Sequence, residues 1–124
     1  MRSTTGSIML GQKTFDMPDE VRSFEKGTVE VVTLGDHSIA RATFGPGWRW
    51  SEHVKPIAQT PLCEVEHEGY VVSGRMHVRS QDGTEAEYKA GDVMHLAPNH
   101  DAWIVGDEPC VVIDWAGAST YAKK

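Results

Sequence analysis

The stretch Cys63-Glu64-Val65-Glu66-His67-Glu68-Gly69-Tyr70-Val71-Val72-Ser73-Gly74-Arg75-Met76 decides the fold. From Cys63 to Val72 its residues alternate. Cys63, Val65, His67, Gly69 and Val71 share one face; Glu64, Glu66, Glu68, Tyr70 and Val72 share the other. A period of two is the mark of a β-strand with one face toward a core. Three glutamates identify the wetter face, so His67 points inward with the small apolar residues. An inward imidazole requires a hydrogen-bond partner or a metal, because a buried polar group left unpaired is costly.

The same pattern extends outward in both directions. Strand-like runs cover Val29–Leu34, Ile39–Phe44, Arg49–Val54, Arg75–Arg79, Glu85–Tyr88, Val93–Leu96, Ala102–Val105 and Val111–Trp115. Turn formers separate them: Gly35-Asp36, Gly45-Pro46-Gly47, Ser73-Gly74, Asp82-Gly83, Gly91-Asp92, Pro98-Asn99 and Gly106-Asp107-Glu108-Pro109. Asp82-Gly83 is the strongest hairpin signal. Short strands at regular spacing without a convincing helix predict an all-β sandwich or barrel. The polar residues 1–27 are weakly patterned and are expected to pack on the barrel or on a second subunit. Within them, Asp16-Met17-Pro18-Asp19-Glu20 reads as one short helical turn or as a loop. The barrel is expected over 28–118, with a tail over 119–124.

The chain has 124 residues, enough for one domain whose core closes without disulfides. Eighteen acidic against twelve basic residues give a net charge of −6, and the basic residues are scattered. Nucleic-acid binding needs a basic patch, so nucleic acid is not the expected partner. No apolar run approaches the roughly 20 residues that span a bilayer, and Ile8–Leu10 is too short for a signal-peptide core. Cys63 and Cys110 lack metal-type spacing and read as small buried hydrophobes. A cytoplasmic protein without membrane contact is expected.

A second informative run is Gly45-Pro46-Gly47-Trp48-Arg49-Trp50-Ser51-Glu52-His53, and a third is Gly91-Asp92-Val93-Met94-His95-Leu96-Ala97-Pro98-Asn99-His100-Asp101-Ala102. By alternation Arg49, Ser51 and His53 share a face. Together these runs resemble the two motifs of the cupin family, small double-stranded β-helix barrels of the jelly-roll type. The first motif is Gly, five residues, His-x-His, a short gap, Glu, six residues, Gly. Gly45 with Ser51-Glu52-His53 fits its start, and His67 with Gly74 fits its end, across a thirteen-residue gap. The second motif is Gly, five residues, Pro-x-Gly, two residues, His. Gly91 fits it, while Ala97, Asn99 and Ala102 depart from it.

The resemblance implies an interior site for a small organic molecule and a divalent transition metal. The metal ligands it suggests are His53 and His67, with His100 as a third imidazole on the face of the vacant position Ala102. Glu52, Glu66 and Glu68 point the other way. Three imidazoles suit Zn, Fe, Ni or Cu. His53 and His67 are the candidate catalytic residues, and Arg49, Trp48, Trp50 and Ser51 the candidate substrate contacts. Arg49 has the chemistry to clamp a carboxylate. The implied function is a metal-dependent enzyme of oxygenase, isomerase, lyase or cyclase type. The alternatives are a small-molecule-binding cupin without catalysis and a metal-free acid–base enzyme using histidine. Each residue also has a plainer explanation. His67 and His53 serve equally as hydrogen-bonded core residues, His100 as a loop residue, Trp48 and Trp50 as packing, and Asp114 as a pocket rim or a solvated charge. Cupin relatives commonly dimerise, and edge strands need cover, so a homodimer is expected.

Overall fold

The computed structural model describes residues 9–122, and nine strands make up most of the fold. They are β1 (Glu20–Phe24), β2 (Gly27–Leu34), β3 (His37–Phe44), β4 (His67–Ser73), β5 (Arg75–Ser80), β6 (Glu85–Lys89), β7 (Val93–Leu96), β8 (His100–Ile104) and β9 (Cys110–Asp114). Two one-turn helices, α1 (Trp50–His53) and α2 (Lys55–Ala58), lie between β3 and β4. The strands form two antiparallel sheets, ordered β1-β2-β3-β9-β4-β7 and β6-β5-β8. This is the expected all-β double-stranded β-helix.

Alternation places the core. Val29 and Val31 of β2, Ala40, Ala42 and Phe44 of β3, Val71 of β4 and Val112 of β9 face Met76 and Val78 of β5 and Ala102 and Ile104 of β8 in one buried cluster. The chain crosses between sheets at Gly74, where φ is +79° and an added Cβ would run into the Pro109 carbonyl oxygen. Only glycine meets both demands. A register shift between Val71 and Ser73 helps β4 bend into this crossing.

Two expectations need correction. The run at 49–54 is not a strand. Its buried residues are Trp50, His53 and Val54, spaced three and four apart, which is helical periodicity. Asp101 of β8 fixes this turn by accepting hydrogen bonds from the Ser51 amide (3.1 Å) and hydroxyl (2.9 Å). The strand expected from Cys63 begins only at His67, and Cys63 itself makes an isolated bridge to His100. Of its two expected forms, Asp16–Glu20 takes the loop, with Glu20 already in β1. A turn closed by the Met17 amide on the Thr14 carbonyl leads into β1, which pairs with β2 at the sheet edge. Residues 1–8 of the polar leader and 123–124 of the tail lie outside the described residues.

Candidate metal and ligand site

Alternation along β4, β8 and β9 brings their terminal polar residues to the barrel interior. His67 is the first residue of β4, His100 the first of β8 and Asp114 the last of β9, and all three are buried. Gly69, two residues on from His67, pairs with Asp114 across β4 and β9. Cys63 arrives from the segment before β4. Its amide donates to the His100 carbonyl (2.9 Å), and its own carbonyl accepts from the amides of Asn99 and His100. That backbone pairing holds the thiol beside both imidazoles.

The result is a chain of polar contacts in an apolar shell. His67 Nδ1–H donates to Asp114 Oδ2 at 2.6 Å, which leaves Nε2 facing Cys63 Sγ at 3.7 Å. His100 Nδ1–H donates to the Ala97 carbonyl at 2.7 Å, which leaves Nε2 for other partners. Asp114 Oδ1 accepts from the amides of Ala116 and Gly117 (3.0 and 2.9 Å), so both of its oxygens are occupied. One ligand atom from each of Cys63, His67 and His100 lies within 4.8 Å of the other two.

Burial alone would push the Cys63 thiol up, but hydrogen bonds with His100 and then His67 outweigh it and bring the thiol down to about 6. Burial likewise pushes His67 down. The Asp114 hydrogen bond, then Cys63, outweighs it and raises the imidazole to about 9. Asp114 is held below the usual carboxylate value: burial opposes ionisation, and the His67 hydrogen bond and charge overcome it. Metal-free, the site is a thiolate–imidazolium–carboxylate array.

An interior cavity of about 40 Å³ adjoins these groups. Besides His67, His100 and Asp114 it is lined by apolar and aromatic residues, among them Phe44, Trp48, Trp50, Met94 and Tyr121. The segment after β9 closes it. Tyr121 packs edge-on against His67, 5.0 Å between ring centroids. Gly117 passes so near that an added Cβ would stand 2.6 Å from His67 Nδ1. Arg22 of β1 ties this segment down, donating to the carbonyls of Ala118 and Tyr121 (both 2.8 Å) and Ser119 (3.3 Å).

The structure therefore gathers His67, His100, Trp48 and Trp50 around one cavity. It does not bring His53, Arg49 or Ser51 there. His53 lies on α1, where Nδ1 accepts from the Arg49 amide (3.0 Å) and Nε2 stands 3.8 Å from Glu25. Arg49 stacks over Trp103 (4.1 Å), with Nε 3.7 Å from Asp101, and Ser51 bonds the same aspartate. All three owed their expected inward face to a strand that is a helical turn. Cys63 and Tyr121 went unrecognised. The signal for Cys63 was present: it shares the inward face of His67 four residues away, and a short gap before His67 places it on the second histidine position of the first motif.

The fold is a small antiparallel barrel in which a thiol and two imidazoles meet beside an interior cavity. The family profile described as "Cupin domain" matches residues 52–116, more than half of the chain, which therefore belongs to the cupin family. Solved structures agree on the fold. An uncharacterised protein with a double-stranded β-helix domain from Klebsiella pneumoniae is 20% identical with a TM-score of 0.57, over 98% of this chain and 93% of that one. A protein of unknown function from Acidithiobacillus ferrooxidans is 19% identical with a TM-score of 0.55, over 83% and 98%. The oxalate decarboxylase of Lactobacillus farciminis is 21% identical with a TM-score of 0.56; the match covers 82% of this chain but only 32% of the decarboxylase. A search of curated proteins finds no match.

Proposed function

We propose that Cys63, His67 and His100 hold a divalent transition ion inside the barrel and that this centre acts on a small organic molecule in the adjoining cavity. One observation carries the reading: three donor atoms converge in the interior, and each imidazole has its other nitrogen fixed by an acceptor. A carboxylate or carbonyl on the far nitrogen is the usual support of a ligating histidine. The spacing fits. Metal–sulfur and metal–nitrogen bonds of roughly 2.3 and 2.0–2.1 Å at a tetrahedral angle put the donors about 3.6 Å apart, and Sγ and Nε2 are 3.7 Å apart. One thiolate and two imidazoles favour zinc or copper over iron or nickel.

When bound, such an ion polarises a substrate oxygen or activates water. The chain supplies the rest. Asp114 and the Ala97 carbonyl orient the two imidazoles, the aromatic wall excludes water, and Tyr121 covers His67. The oxygenase, isomerase, lyase and cyclase types all remain in keeping with this centre. Untagged protein is expected to hold about one zinc or copper ion per chain after reloading. His67→Ala and Cys63→Ala should lose the ion and His53→Ala should keep it. An ion-free wild type, or full occupancy in His67→Ala, would refute the assignment.

A second reading rests on the line Asp114–His67–Cys63 itself. With no ion bound, His67 would serve as acid and base beside a thiolate nucleophile. It gains if the wild type stays metal-free yet one equivalent of iodoacetamide alkylates Cys63.

For the assembly we propose a homodimer. Tyr70, Val72, Val93 and Trp115 are exposed apolar residues on or beside β4, β7 and β9 of the larger sheet, a surface suited to a second copy. Light scattering at micromolar concentration should give twice the mass of the chain. Among the described residues no helix is long and apolar enough to cross a membrane. The free thiols of Cys63 and Cys110 support placement in the reducing cytoplasm.

A further inference from the structure

Trp48 lines the cavity and is only 2% exposed, yet its indole Nε1–H has no hydrogen-bond partner. It is the one buried side-chain polar atom in that condition among the described residues. A donor shut away from water without an acceptor is destabilising, and a native fold keeps one where an occupant completes it. Other polar groups of the site have partners within the chain: His67 Nδ1 bonds Asp114, His100 Nδ1 bonds Ala97, and Asp114 bonds two amides besides. Trp48 is also held firmly. Its carbonyl accepts from the Ile104 amide (3.0 Å), and its ring lies 4.3 Å from that of Phe44. Holding it in place costs nothing further when a ligand arrives.

Charge sets what that ligand is. No lysine or arginine lines the cavity among the described residues, and Arg49 is engaged by Trp103 and Asp101 instead. On the metal reading above, a divalent ion, the Cys63 thiolate and the Asp114 carboxylate sum to zero with both imidazoles neutral. An anion would leave net negative charge in an apolar interior with no lysine or arginine to meet it. Size adds a limit. A cavity of about 40 Å³ has room for about three or four non-hydrogen atoms, at roughly 10–15 Å³ for each water-sized position.

We propose that the Trp48 indole N–H is the anchoring donor of this site and that its ligand is a small uncharged molecule with one exposed acceptor oxygen, of the amide or ketone class. The charge argument rests on the metal reading; the donor argument does not. The experiment uses acetamide, with acetate as its charged match in size. The indole N–H resonances of the four tryptophans are followed by ¹⁵N NMR in zinc-loaded protein, and Trp48→Phe identifies the Trp48 peak. Should that variant not fold, replacing the other three tryptophans in turn identifies it by elimination.

Acetamide is expected to move the Trp48 peak. Trp48→Phe should bind acetamide roughly three- to ten-fold more weakly at unchanged zinc content, the loss of one buried hydrogen bond. Acetate should bind more weakly than acetamide. With zinc bound, an unmoved Trp48 peak, equal affinity in Trp48→Phe, or tighter binding of acetate overturns the proposal and leaves the metal centre standing. If the wild type takes up no zinc, the metal reading falls, and the same titration on metal-free protein judges the donor alone. A Trp48 shift sustains it, and an unmoved peak overturns it.

Discussion

Replacing Cys63 by serine should give the metal-free protein a pH dependence of stability that the wild type lacks. His67 keeps its proton in the folded chain up to about pH 9, against 6.5 when unfolded. Its contribution is whole below pH 6.5 and is lost as pH rises through about 9. Cys63 runs the other way, at about 6 when folded and 9.0 when unfolded. Its contribution is present above pH 9.0 and is lost as pH falls through about 6. Between about 6.5 and 9, folding moves a proton from sulfur to nitrogen inside the molecule, so folded and unfolded chains carry the same number. Each slope alone is about 1.4 kcal/mol per pH unit, and the two cancel. Serine deletes the thiol titration; Asp114 still favours the His67 proton, which without the thiolate comes off at a lower pH than in the wild type. From pH 6.5 upward the variant should lose up to about 1.4 kcal/mol per unit relative to wild type until His67 itself gives up its proton, at most about 2 kcal/mol by pH 8. Urea unfolding with a chelator present, at several pH values and with a constant m, measures the difference. Parallel profiles for the two proteins would refute the proton-transfer pair.

Asp114→Asn keeps the hydrogen bond to His67 but removes the charge behind it; metal affinity should fall about 10- to 100-fold, read by competition with a chromophoric chelator. Arg22→Ala strips donors from three carbonyls of the closing segment and should cost about 2–4 kcal/mol, with chymotrypsin cutting after Tyr121 well before global unfolding. Gly74→Ala forces a left-handed residue against the Pro109 carbonyl and should lower stability by at least about 2 kcal/mol, seen in the denaturation midpoint.

Most of the strands from β2 to β9 could be read because they have one wet and one dry face, which local alternation records directly; β6 buries no residue and is the exception. Val93–Leu96 matches β7 to the residue. The turn at 49–54 could not be read so simply. Trp48 and Trp50 fit a period of two, and only the joint burial of Trp50, His53 and Val54 reveals the helical period. Its stabilising partner, Asp101, is about fifty residues away and sends no local signal. The leader hid β1 because an edge strand buries little: only Arg22 of its five residues is buried, and that residue is charged. At the site, His67 was legible from the faces of its own strand. Its pairing with Asp114 depends on β9 lying beside β4, a fact of topology rather than of neighbouring residues. Cys63 was hidden by chemistry, since a thiol serves as readily for packing as for ligation.

Asp114 grips two things at once, the imidazole of His67 on one oxygen and the amides of Ala116 and Gly117 on the other. Whatever fastens His67 therefore also fastens the strap that ends in Tyr121, and thermodynamic reciprocity makes the traffic run both ways. An ion captured inside should slow proteolysis of that strap, and a cut or substitution that loosens the strap should weaken capture.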